Sequence, residues 1–175
     1  IGILKDGQRE ICPFGVTSID NPLPVTDDTL FQIGSNTKTM TATVMMLLAE
    51  EGKLALDVPI RTILPDFRVQ DEGVSASATV RQLLTHSTGW IGDHFIDTGQ
   101  GDDAVATYIA SMAELPQLAP PDFAFSYNNS AFAVAGGIIE AVTNQSYEQA
   151  TQEMLFEPLG MNNSCLLYTS PSPRD

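Results

Sequence analysis

The opening thirty-four residues carry short apolar runs broken by turn formers. "IGILKD" and "REICPFGVTSI" are β-favouring stretches, Gly7 separates them, and Asn21 to Pro24 supplies a break, a pattern that predicts hairpin structure. At Ser35 the period changes. Met40, Val44, Leu47 and Leu48 recur at helical spacing on one face, and Gly52 stands as a C-terminal stop. A strand-and-turn segment therefore delivers the chain into a buried helix.

Beyond Pro59 the pattern predicts helices joined by irregular loops. One spans Thr79 to Thr85, where Thr79 and Gln82 have capping-box spacing, and another spans Asp102 to Leu115, ended by Pro116. Further helices are expected at Ser130 to Thr143 and at Ser146 to Phe156, the latter with Ser146 and Gln149 at capping-box spacing and Pro158 as stop. No internal repeat is visible. Two strands, one apolar helix and a helical block predict an α+β class, yet two strands alone make a marginal sheet. More sheet is therefore expected after residue 165. The closing "LLYTSPSPRD" changes character abruptly and resembles translated sequencing-adapter sequence, with an ordinary Ser/Pro loop as the alternative.

Composition narrows the function classes. The 175 residues are 43% hydrophobic, as in globular proteins, and 22 Asp and Glu against 8 Lys and Arg give a net charge of −14. Such a surface repels phosphate backbones and anionic headgroups, which argues against nucleic acid as a partner. The longest apolar stretch, "ATVMMLLA" at 42 to 49, falls well short of the roughly 20 residues a membrane span requires. Cys12 and Cys165 lie far apart and fit neither a zinc site nor a disulfide framework.

The chemistry concentrates in "FQIGSNTKTM". Ser35 begins a helix and Lys38 follows three residues later, so the two share a face with their Cβ atoms roughly 5 to 6 Å apart. A serine hydroxyl is a weak nucleophile that needs a base, and a lysine withdrawn from water can serve. The helix start adds unpaired N–H groups and partial positive charge, so the Ser35 backbone N–H is a candidate oxyanion donor. Gly34 either clears space for a substrate or simply turns the chain. Taken alone, S-x-x-K is a weak signal.

Longer strings strengthen it. "PVTDDTLFQIGSNTKTMTATVMMLLAEEGKLALDVPI", "LPDF", "TVRQLLTHSTGW", "FSYNNSAFAVAGGIIE" and "EPLGMNNS" follow one another in an order that resembles the serine β-lactamase-like and penicillin-binding protein family over about residues 10 to 164. The resemblance implies a β-lactamase/transpeptidase-like fold, an antiparallel sheet plus a helical region. Only N-terminal strands, the active-site helix and the helical region would be present. Residues 1–164 would then be a partial serine hydrolase domain and residues 165–175 a non-native tail.

The same resemblance implies roles. Ser35 would be the nucleophile and Lys38 its activating partner. The Tyr-x-Asn motif maps onto Tyr127, which would relay the proton, and Asn129, which would orient Lys38 and the substrate. Tyr127 would need a cation beside it to act as a base, because a free phenol titrates near pH 10. From spacing alone, Tyr127 and Asn129 read first as a capped loop before the helix at Ser130, and the order of the family blocks is what reverses that preference. No metal or organic cofactor is implied, the partner would be a small-molecule or peptide substrate, and a periplasmic or secreted location would follow.

Other residues take structural readings. His86 is expected at a helix end, capping or packing in a turn, without a catalytic role. His94 with Asp93 and Asp97 makes a poor metal-ligand set, and Trp90 is read as packing rather than as a wall of the cleft. Three departures stand out. No Lys- or His-x-Gly string, the family's third motif, follows Tyr127, the N-terminal helix usual before the first strand is missing, and Asp122 replaces a customary glycine. Truncation at both ends is therefore expected. Two other readings are a non-catalytic scaffold of the same fold and an inactive fragment.

Overall fold

The computed structural model describes residues 1–99 and 101–166. Most of the expected foreign tail, from Leu167 on, lies outside the described residues. Two compact units are present, Ile1–Gly34 and the part beginning at Ser35.

The first unit is built on a hairpin of β1 (Gly2–Lys5) and β2 (Gln8–Ile11), with Gly2 opposite Ile11 and Lys5 opposite Gln8. Asp6 and Gly7 connect them with φ of 50° and 77°. Both values are positive, as a type I′ turn requires, and Asp-Gly is a favoured pair for it. The second strand is shorter than the β-favouring run that contains it. Pro13 has no N–H to continue the ladder, Gly15 turns the chain at φ 80°, and Val16 forms only an isolated antiparallel bridge with Pro24.

A 3-10 turn at Gly34–Asn36 begins on the last residue of the first unit and runs into α1 (Thr37–Glu50) of the second, which buries Thr41, Val44, Met45 and Leu48. Met40 and Leu47 flank this stripe and are only partly buried, so the apolar face is rotated toward Met45 relative to the sequence expectation. The helix stops where Gly52 predicts. Gly52 adopts φ 72°, its N–H donates to Ala49 O at 3.0 Å, and the Lys53 N–H donates to Leu48 O at 2.9 Å. These two bonds form a Schellman closure.

Short helices follow. α2 (Glu72–Ser77) was not separately expected; the Asp71 side chain caps it by accepting from the Val74 N–H at 3.0 Å. α3 (Val80–Leu84) carries the predicted capping box of Thr79 and Gln82. α4 (Ala104–Ser111) tightens into a 3-10 turn at Met112–Glu114, so the predicted helix is present but not uniform. α5 (Asn129–Thr143) closes on Asn144 at φ 56°, and α6 (Tyr147–Thr151) continues as a π-helical turn over Gln152–Phe156. At α6 only half of the expected box forms: Ser146 accepts from the Gln149 N–H, but the Gln149 side chain donates to Glu153 instead.

One apolar core joins Val44, Met45 and Leu48 of α1 to Val134, Ile138 and Ile139 of α5, with Leu83, Phe67 and Trp90. Each such burial stabilises by about 1.5 to 3 kcal/mol. Trp90 is 1% exposed and its ring centroid lies 5.7 Å from that of Phe67, so it packs as expected. A polar bond between Thr41 Oγ1 and Tyr147 Oη, 2.7 Å long, pins α1 to α6 one turn below Lys38.

Candidate active site

The helix start brings Ser35 and Lys38 together, and α5 supplies the third group. Lys38 Nζ donates to Ser35 Oγ at 3.4 Å and to Asn129 Oδ1 at 2.6 Å. It also lies 4.8 Å from the centroid of the Tyr127 ring and 5.6 Å from that of Phe132. The four expected residues therefore share one locus although 92 positions separate Ser35 from Tyr127 in the chain. Hydrogen bonds from Lys38 and then from Ser35 hold the Tyr127 phenol below its ordinary range, and the Lys38 charge adds to this. Slight burial and the negative charge of Asp93 push the other way. Tyr127 is 46% exposed, so incoming molecules can reach it.

What places Tyr127 and Asn129 is the segment from His86 to Asp93. The Ser126 N–H donates to His86 O at 2.8 Å, and the Asn128 N–H donates to His86 Nδ1 at 3.0 Å. Asn128 is fully buried: its Oδ1 caps α5 by accepting from the Ala131 N–H at 2.7 Å, and its Nδ2 donates to Trp90 O at 3.0 Å. The Gly92 carbonyl accepts from the N–H groups of Asn129 at 3.0 Å and Ser130 at 3.1 Å. A Cβ at Gly92 would sit 2.5 Å from Tyr127 O and 2.8 Å from Asn128 Cα. Glycine is what allows the two backbones to approach this closely. The capped loop and the Tyr-x-Asn motif are thus one object, capped by Asn128.

His86 has the expected turn geometry, with φ 56° at the end of α3, and one feature that was not expected. Its ring stacks on Tyr127 with centroids 4.7 Å apart and 27° between planes, and Phe132 lies 5.0 Å away. Because Nδ1 accepts the Asn128 N–H, the neutral ring carries its proton on Nε2. Burial first, and the Lys38 charge second, disfavour protonation of this ring. No spacing rule links positions 41 residues apart, so the sequence held no signal for the stack.

A test follows from the sign of that shift. The unfolded histidine binds its proton near pH 6.5, the folded one at lower pH, so stability falls as pH drops through 6.5 toward the folded value. Urea midpoints measured between pH 7.5 and 5.5 are expected to fall less for His86→Gln, whose amide oxygen can still accept from Asn128. The gap between the two proteins should narrow toward acid.

Asp122 accounts for its departure. It adopts φ 63°, a conformation that suits glycine, and it is held there by three bonds. Its N–H donates to Ser87 O, while Oδ1 accepts from Ser87 Oγ at 2.8 Å and Oδ2 from Gln82 Nε2 at 2.6 Å. The latter two also hold its carboxyl below the usual range. Gly34 has φ 52° with open space around its Cβ position, which satisfies the turn reading. His94 Nε2 is bonded to Ser111 Oγ, and Asp97 accepts from the Gly99 N–H. Among the described residues no group of three or more ligating side chains could hold a metal ion. No helix among them is long and apolar enough to cross a membrane.

A helical region against which an S-x-x-K helix packs, with Tyr-x-Asn at the head of a second helix, defines the β-lactamase/transpeptidase fold class. A penicillin-binding protein homologue from Pyrococcus abyssi, described as octameric, superposes with a TM-score of 0.76 at 32% identity, over 92% of this chain and 38% of that one. A class C beta lactamase from Rhodobacter sphaeroides gives 0.72 at 30% identity, over 91% and 43%.

Residues 1–172 match the sequence model of the Beta-lactamase family, and the chain belongs to that family. Penicillin-binding protein 4 of Amycolatopsis lactamdurans is 38% identical over 167 residues, which are 95% of this chain and 44% of that protein. The chain thus spans less than half the length of that relative.

Proposed function

We propose that the protein is a serine hydrolase or acyltransferase that works through an acyl-serine intermediate. The supporting observation is the single locus in which Lys38 Nζ bonds both Ser35 Oγ and Asn129 Oδ1 beside an acid-shifted Tyr127. Tyr127, as phenolate stabilised by Lys38, takes the proton of Ser35 as Oγ bonds to a substrate carbonyl carbon. The Ser35 backbone N–H donates to the resulting oxyanion. Tyr127 then returns the proton to the departing amine or alcohol, the carbonyl–leaving group bond breaks, and an ester remains on Ser35. Water or another acceptor completes the cycle. Asn129 keeps Lys38 in place and offers its amide to the substrate.

The substrates this chemistry fits are β-lactams, D-alanyl peptides and esters, each of which presents an acyl carbon to Ser35. The naming of relatives as penicillin-binding proteins and a class C beta lactamase supports this choice. Time-resolved intact mass of the protein expressed from the complete reading frame, mixed in turn with a penicillin, a D-alanyl-D-alanine peptide and a p-nitrophenyl ester, is the test. An adduct on Ser35 with at least one donor, absent in Ser35→Ala, is expected. No adduct and no turnover with any of the three would overturn the proposal.

A further inference from the structure

Asp93 stands at the edge of the site with no role in the steps above. Its Oδ1 accepts from Asn129 Nδ2 at 2.8 Å, and the other end of the same amide, Oδ1, accepts from Lys38 Nζ at 2.6 Å. An asparagine amide can be turned over at little intrinsic cost, because its oxygen and nitrogen have nearly the same shape. Both neighbours here demand one orientation. An ammonium only donates, so it must meet oxygen; a carboxylate only accepts, so it must meet nitrogen. If the amide turned over, donor would face donor and acceptor would face acceptor.

We infer that Asp93 is a positioning residue that locks the Asn129 amide with its oxygen toward Lys38, completing a carboxylate–amide–ammonium chain that holds the amine against Ser35. The role rests on the acyl-serine reading for its effect on rate, but not for its geometry. Gly92 reinforces it: the carbonyl of Gly92 is fixed by the N–H groups of Asn129 and Ser130, so Asp93 begins from a backbone already tied to α5. Asp93 itself is exposed and no part of the apolar core, so its replacement leaves that core intact.

The charge of Asp93 reaches two titratable groups, the phenols of Tyr127 and of Tyr108 on α4, and disfavours ionisation of both. Two readouts follow for Asp93→Asn. Acylation of Ser35 is expected to slow by about 10- to 100-fold, because the amide is no longer held in one orientation. The acid limb of the pH–rate profile should also move to lower pH, since the charge opposing the Tyr127 phenolate is gone. Asp93→Glu, which keeps an acceptor-only carboxylate where an amide could also present a donor, should recover part of the rate. Unchanged rate and unchanged acid limb in Asp93→Asn would overturn the inference.

A measurement without catalysis separates this from the proposed function. In ¹H–¹⁵N spectra the Asn129 side-chain amide of the unmodified protein is expected to give two sharp N–H resonances from one fixed orientation, and Asp93→Asn should move or broaden both. An Asn129 amide insensitive to that substitution would overturn the inference even if Ser35 is acylated. Such a change in a protein that forms no adduct would uphold the positioning and overturn only the acyl-serine reading.

Discussion

Replacement of Lys38 by methionine is expected to slow acylation of Ser35 by about 10²- to 10⁴-fold, the span attributed to general-base assistance. Methionine keeps much of the stem and its packing, so the fold should survive while the ammonium is lost. Its contacts disappear together: the bond to Ser35 Oγ, the bond to Asn129 Oδ1, the hydrogen bond to the Tyr127 phenol, and the cation beside the Tyr127 and Phe132 rings. The direction of the remaining activity with pH is the sharper test. Lys38 contributes the leading cause of the lowered Tyr127 value, so without it the phenol returns toward its free value near 10. Residual acylation by Lys38→Met should therefore climb with pH across the alkaline range. Initial adduct formation followed by mass from pH 6 to pH 10 would show this, and a variant with native rate and native pH dependence would remove Lys38 from the chemistry.

Gly92→Ala is expected to damage site and stability at once. The new Cβ would be placed 2.5 Å from Tyr127 O and 2.8 Å from Asn128 Cα, and both neighbours are backbone that cannot swing aside. Relief requires the 86–93 segment and the head of α5 to part, which strains the two bonds to the Gly92 carbonyl. Overpacking of this kind costs about 1 to 3 kcal/mol. A displacement of about 1 Å at Tyr127 or Asn129 would add on the order of a 100-fold loss of acylation. Chemical denaturation and adduct kinetics on the same preparation would measure both. Full activity at native stability would show that the close approach is not needed.

How far the sequence revealed this site depends on what kind of relation joins its residues. Ser35 and Lys38 are neighbours on one helix, so local periodicity suffices. Tyr127 and Asn129 became legible through motif order, since their spacing also fits a capped loop. The capping box at Thr79 and the stop at Gly52 were visible because their chemistry is local. The turn expected of His86 is present, but the contacts that His86 and Asp93 make with the head of α5 were not legible, because those partners lie 36 or more residues away. α2 was missed for a related reason: Gly73 and small polar residues hide its period, and only the Asp71 cap marks its start. The shortened second strand followed from Pro13 and Gly15, whose backbone limits overrode the β-favouring composition around them.

The bonds from the Gly92 carbonyl and from Asn128 into α5 have a consequence for motion. Segments that open as lids are those whose amides exchange with solvent through small, local fluctuations. Here the Ala131 N–H is capped by a fully buried side chain that is itself held by Trp90, at the wall of the main core. Releasing that amide therefore requires the core to come apart. Its deuterium uptake should match the slowest class in the protein, so on the acyl-serine reading any adjustment to a substrate here would fall to side chains rather than to this backbone.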